Sequence, residues 1–213
     1  MNGENHIIVD GWSDRYAAAL PRLLRMEGGF VDDPVDRGGT TKFGMSLRFL
    51  VAEGQIDLDG DGFADFDLDF DGDIDGQDVR KLTRGDAKYL YHRCFWKRLD
   101  ADSFVRPIGE MLFDQAVNGG ISASCKMLQR ALNACITKYR LNIAPLKIDG
   151  DLGEKTRAAI DAVIALPAAR TTAIVIAYKD AVKARYRAIV AADPSQKRFL
   201  AGWLNRADEL GQY

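Results

Sequence analysis

Residues 13–30 read SDRYAAALPRLLRMEGGF, and the spacing of their apolar members sets the fold class. Tyr16, Leu20, Leu23 and Leu24 recur at helical intervals, laying one apolar stripe along a helix that Ser13 is placed to cap. Pro21 either kinks this helix or opens its second half. Gly28 and Gly29 end it, because glycine enters the left-handed backbone of helix termini without a Cβ penalty. Glu27 therefore falls in the last turn. There the partial negative charge of the helix end disfavours an ionised carboxylate, and burial against Phe30, Val31 or Phe43 adds to the effect. Both effects favour the protonated form, and a protonated glutamic acid can donate to the oxygen of a glycosidic bond as the bond breaks.

Outward from this segment the chain reads as helical. Residues 78–98, 108–118, 122–140, 154–165 and 170–191 show helical periodicity, with Gly119-Gly120 and Pro167 as punctuation. No long stretch alternates as a strand does. The expectation is an all-α chain: a catalytic domain over 1–121, interrupted by an acidic insert at 54–79, and a small helical domain over 122–213.

A glycosidase normally pairs its acid with a second carboxylate, which activates water or attacks the sugar. Asp36, nine residues after Glu27, is the candidate for that group; Asp32 and Asp33 read more simply as turn residues beside Pro34. Thr41 and Phe43, just downstream, and Asn118, one helical turn after Asp114, are candidate substrate contacts. Trp96, Tyr89 and Tyr91 have the flat faces that stack on sugars, but their spacing fits packing along the Val79 helix better.

Glu27-Gly28-Gly29-Phe30, with the residues on to Gly44, resembles the signature of glycoside hydrolase family 108, muramidases of phage lysis and bacterial wall degradation. Leu82-Thr83-Arg84-Gly85-Asp86-Ala87, Leu90-Tyr91, Phe95-Trp96 and Leu112-Phe113-Asp114-Gln115-Ala116-Val117-Asn118-Gly119-Gly120 resemble its later blocks, in order. Leu128-Gln129-Arg130-Ala131-Leu132 and Asp149-Gly150-Asp151-Leu152-Gly153 resemble the peptidoglycan-binding-like domain that usually follows. The resemblance implies a lysozyme-like helical fold, Glu27 as catalytic acid, and peptidoglycan as substrate, cut at the β-1,4 bond between N-acetylmuramic acid and N-acetylglucosamine. The order of Glu27, Asp36 and the following threonines is similar to that of phage lysozymes, although the threonine spacing differs by a residue. Two other readings use the same residues. A lytic transglycosylase would employ Glu27 with the sugar's own hydroxyl in place of water, and a non-catalytic calcium-dependent wall-binding module would not need Glu27 at all.

The resemblance does not extend to the insert. Residues 57–78 hold ten aspartates and no Lys or Arg. Asp67, Asp69, Asp71, Asp75 and Asp78 stand at positions 1, 3, 5, 9 and 12 of a loop, with Gly72 at position 6 and Ile74 at position 8. Such phasing surrounds a hard cation with oxygens while the glycine permits the sharp turn. The stretch resembles EF-hand and dockerin-type loops, which implies structural calcium, with Asp73 at position 7 contributing its backbone carbonyl. An earlier loop, Asp57, Asp59, Asp61 and Asp65, is a candidate for a second ion, but Leu68 occupies its position 12 and it begins only ten residues upstream.

The net charge of −2 conceals an asymmetry. Outside those ten aspartates, 21 acidic residues face 29 basic ones, a formal excess of eight positive charges. A basic body suits an anionic polymer such as cell wall, and no nucleic-acid motif accompanies it. No apolar run is long enough to span a membrane, and residues 1–14 lack a secretory leader pattern. These features predict a monomer made in the cytoplasm that acts in the periplasm or cell wall. Cys125 and Cys135, ten apart on one expected helix, are separated by about 15 Å and cannot pair. Two histidines are too few for a histidine-rich zinc site, and the sequence shows neither a G-x-S-x-G elbow nor a phosphate-cradling loop.

Overall fold

The computed structural model describes residues 11–26, 40–167 and 170–212. The chain divides into two compact units, 1–94 and 95–213.

In the first unit, helix α1 (Asp14–Met26) starts where the sequence predicts: the Ser13 hydroxyl accepts from the Tyr16 amide at 3.2 Å. Pro21 lies inside the helix, and of the predicted stripe Tyr16, Leu20 and Leu23 are at 5% exposure or less while Leu24 is half-buried. A tight hairpin follows, β1 (Thr41–Lys42) antiparallel to β2 (Met45–Ser46), with Thr41 opposite Ser46 and Lys42 opposite Met45. Two-residue strands are too short to leave an alternating pattern. The turn places Phe43 at φ +51° and Gly44 at φ +76°, the left-handed pair that a two-residue hairpin needs. A phenylalanine there is strained. The Tyr91 hydroxyl, donating to the Phe43 carbonyl at 2.9 Å, ties the turn to the core.

Helix α2 (Leu47–Glu53), capped by Ser46, leads to the insert. Gly54 marks the departure: a Cβ there would lie 2.6 Å from the Leu50 carbonyl and 2.9 Å from Phe66 Cβ, so no side chain fits. Phe66 is fully buried and stacks on Tyr89, and Ile74 is 7% exposed. Burying a phenylalanine contributes roughly 1.5–3 kcal/mol. The insert is thus anchored by Phe66 at its middle, between the two loops, and by Ile74 within the second.

The single helix expected over 78–98 is three segments. Helix α3 (Gly76–Lys81) stops, and Thr83 opens α4 (Arg84–Tyr91) with a reciprocal cap: Thr83 Oγ1 accepts from the Asp86 amide, and Asp86 Oδ2 accepts from the Thr83 amide at 2.7 Å. Satisfying two otherwise orphaned backbone donors restarts the helix at this point. The chain then widens into a π-helix, His92–Lys97.

The second unit is built on α5 (Ile108–Gly119), α6 (Ile121–Tyr139), α7 (Glu154–Ile164), α8 (Arg170–Ala192) and α9 (Leu200–Glu209), four of them within a residue of the predicted spans. The exception is α9, which the sequence reading did not identify. The Ser124 hydroxyl of α6 donates to the Leu112 carbonyl of α5 at 2.8 Å and meets the Tyr178 hydroxyl of α8 at 2.9 Å, joining three helices in the core. Trp96, 1% exposed, packs edge-on to Phe113 and donates to Asp102 at 2.7 Å. With Tyr89 and Tyr91 also buried, all three aromatics are core residues.

Candidate active site and acidic loops

Glu27 and Asp36 lie outside the described residues, as do Asp32 and Asp33. Glu27 directly follows α1 in sequence, and the hairpin begins five residues after Asp36. Of the candidate substrate contacts, Thr41 and Phe43 share that hairpin, both half-buried, with the Lys42 ammonium 5.5 Å from the Phe43 ring centre. Lys42 also donates to the Arg80 carbonyl, which fastens the strand to α3. Asn118 belongs to the other unit, where its side-chain amide donates to the Asp114 carbonyl one turn back at 3.0 Å. Asp114 is 3% exposed and paired with Arg206 at 3.2 Å; it also accepts from Gln115, whose own carbonyl takes the Tyr186 hydroxyl. Asp114 is therefore spent on a buried network that joins α5, α8 and α9. Removing Arg206 would strand a buried carboxylate at a cost of about 3–5 kcal/mol.

The two acidic loops repeat one construction ten residues apart. In each, the carboxylate at position 1 receives the amide of the glycine at position 6: Gly62 to Asp57 at 3.2 Å, and Gly72 to Asp67 at 2.8 Å. Both glycines are left-handed, φ +92° and +98°. The amide at position 2 also finds a carboxylate in each loop. In the second loop Leu68 donates to Asp78 at 2.6 Å; in the first, where position 12 is Leu68, the Leu58 amide turns to Asp65 at 3.1 Å. Asp65 thus does in the first loop what Asp78 does in the second, and its offset of three positions hid this from a comparison by register.

Carboxylate oxygens converge in three sets: Asp57, Asp59 and Asp61; Asp67, Asp69 and Asp71; and Asp73, Asp75 and Asp78, each within 4.8 Å of one another. Such clusters can hold a cation. Asp78 also closes the capping box of α3, accepting from the Asp75 amide at 2.7 Å as well as from Leu68. The electrostatics are unfavourable for bare carboxylates. Burial pushes Asp65 and Asp78 above the usual carboxylate range, and the Asp71 carboxylate beside it does the same to Asp73. One oxygen of Asp65 and one of Asp69 are buried without a hydrogen-bond partner. Both loops line a cavity of about 130 Å³, with Asp59, Asp65, Asp67, Phe63 and Phe70 among its walls.

In the second unit, Gln129 of α6 organises the Asp149–Gly153 loop. Its amide nitrogen donates to Asp149 and to the Asp151 carbonyl, and its carbonyl accepts from the Gly150 amide, all at 2.8 Å. The two motifs of this unit are one clamp. Its signal in the sequence was the pairing of a buried helical glutamine with an Asp-Gly turn about twenty residues on.

Residues 20–120 match the family described as Glycosyl hydrolase 108. They are a glycosyl hydrolase 108 domain. Residues 123–208 match a domain described as "Predicted Peptidoglycan domain". The glycosyl hydrolase 108 match ends at residue 120, so its last helix, α5, packs in the same unit as the second domain. The structure of Brucella abortus SagA is similar at 25% identity and a TM-score of 0.66, over 92% of this chain and 91% of that one. The comparison with curated proteins gave no match. The protein is a glycoside hydrolase with a mostly helical, lysozyme-like domain followed by a helical peptidoglycan-binding domain. The hydrolase domain sets aside the reading as a purely non-catalytic module.

All three cysteines are buried free thiols, and burial pushes Cys125 up to about 11 and Cys135 in the same direction, which makes both poor nucleophiles. Among the described residues, no helix is long and apolar enough to cross a membrane.

Proposed function

We propose that the protein is an N-acetylmuramidase that cleaves the β-1,4 bond between N-acetylmuramic acid and N-acetylglucosamine, with Glu27 as general acid. The observation that carries this reading is a glycosyl hydrolase 108 match spanning Glu27, joined to a peptidoglycan-binding domain in one chain. Glu27 comes immediately after α1 and is followed in sequence by two glycines. Asp36 is the proposed second carboxylate, with Thr41 and Phe43 on the adjoining hairpin as sugar contacts. Residues 1–121 carry the chemistry and residues 122–213 hold the wall, in the periplasm or cell wall after synthesis in the cytoplasm.

Calcium, on this reading, is structural and bound by the insert. Its support is the pair of orphaned buried oxygens, one per loop, on Asp65 and Asp69. An unsatisfied buried carboxylate oxygen is costly, and a hard cation removes that cost while relieving repulsion among neighbours. Asp67, Asp69, Asp71, Asp75 and Asp78, with the Asp73 carbonyl, are the proposed ligands in the second loop, and Asp57, Asp59, Asp61 and Asp65 in the first.

The test is the identity of the products released from purified peptidoglycan. Reducing muramic acid ends are expected. Products lighter by one water, carrying a 1,6-anhydro ring, would replace the muramidase with a transglycosylase.

A further inference from the structure

The side chains of Gln129 and Asn133 hold Leu146, Asp149 and Asp151 against α6. A groove of about 740 Å³ runs between α6 and α8. Its lining is rich in alanines, among them the buried Ala173 and the half-buried Ala177 and Ala181 that form its floor, so the two helices leave room for small apolar groups. Its rim is cationic. Lys126, Arg130 and Lys138 follow one face of α6, Arg185 faces them from α8, and Asp180 is the one acidic residue among the lining side chains. Among the described residues, none of these four cations has an ion-pair partner.

We infer that this groove binds the stem peptide of peptidoglycan. The inference rests on the reading of the chain as a peptidoglycan hydrolase and assigns the place where its second domain grips the polymer. The glycan strand of peptidoglycan is essentially uncharged, whereas its stem peptides carry free carboxylates and alanine methyls. Carboxylates match the rim, and methyls match the floor. The lengths also agree. Lys126 and Lys138 are twelve residues apart on α6, about 18 Å along the helix axis, and an extended peptide of about five residues spans roughly 17 Å. Cations set one and two turns apart along a wall complement carboxylates distributed along an extended chain, and this attraction falls as salt rises.

The experiment uses the full chain, titrated calorimetrically with free stem peptide and with oligosaccharides of N-acetylglucosamine, an uncharged stand-in for the glycan strand. Two variants are compared: Lys126→Glu/Arg130→Glu/Lys138→Glu, which reverses the rim, and Ala177→Trp, which fills the floor without changing charge. Circular dichroism melts establish that each is folded. Wild type should bind stem peptide in a salt-sensitive manner, both variants should bind it at least roughly tenfold more weakly, and oligosaccharide binding should be unchanged. Undiminished stem-peptide binding by both folded variants would overturn the groove. So would a wild type that digests sacculi yet does not bind stem peptide, which leaves the hydrolase reading intact. A wild type that neither digests nor binds sacculi would overturn that reading and the groove with it. A dimer in sedimentation that rim reversal dissolves would assign the groove to a second copy of the chain.

Discussion

Two Asp-Gly loops of this molecule are held by opposite means. In the second unit a neutral amide, Gln129, supplies donors and an acceptor to the Asp149–Gly153 loop, and its hydrogen bond holds the Asp149 carboxyl below the usual carboxylate range. In the insert, aspartates accept from the loop's own backbone, yet burial and mutual repulsion push Asp65, Asp73 and Asp78 the other way. One loop is closed by a neutral side chain; the other gathers like charges. A helix-borne amide closes its loop without adding charge, whereas carboxylates gathered at close range repel one another and can hold a cation.

The largest expected effect that separates them is the response to calcium. At about a hundredfold excess over Kd, bound calcium adds roughly 2.7 kcal/mol, a rise in Tm on the order of 5 °C. Scanning calorimetry with EDTA and with excess calcium checks this, and a Tm indifferent to both would remove the distinction between the loops. Next in size is Gln129→Leu. Losing three hydrogen bonds from a buried side chain should cost about 2 kcal/mol, equally with and without calcium. Urea melts under both conditions measure it, and a cost that vanishes in calcium would contradict the separation.

A finer division lies within the insert. Asp69→Asn should abolish the calcium increment of the second loop, while Asp65→Asn should remove a smaller share, because the first loop lacks a position-12 carboxylate. Equal losses would mean that the loops bind as one site. The smallest effect is the pH dependence from Asp149. Its depressed pKa contributes stability that is present above the ordinary carboxylate range and is lost as pH falls through the folded value. Asp149→Asn should therefore flatten the acid limb of the second unit's stability curve and leave the neutral region little changed.

These contrasts also mark what the sequence could convey. Helices α1, α5, α6, α7 and α8 were legible because their apolar stripes are long and their ends punctuated, as with Ser13 and Gly119-Gly120. The break before α4 was not, although Thr83 and Asp86 carry its signal, because continuous apolar periodicity across residues 78–98 overrode a four-residue cap. The hairpin escaped for a different reason: strands of two residues have no period, and its turn rests on the distant Tyr91 hydroxyl. Aspartate phasing revealed the acidic loops directly, since ligand spacing is local. The exchange of Asp65 for Asp78 depends on where the Leu58 and Leu68 amides point, which only folding determines.

The central claim is that Glu27 donates the proton in glycoside cleavage. The direct measurement is the rate of muropeptide release from purified peptidoglycan, followed by mass spectrometry with calcium present, for wild type and for Glu27→Gln of matched melting temperature. The account predicts reducing-end muramic acid products from wild type and a loss of about 10²–10⁴-fold or more in the variant. A folded Glu27→Gln protein that releases the same products at an undiminished rate would contradict it.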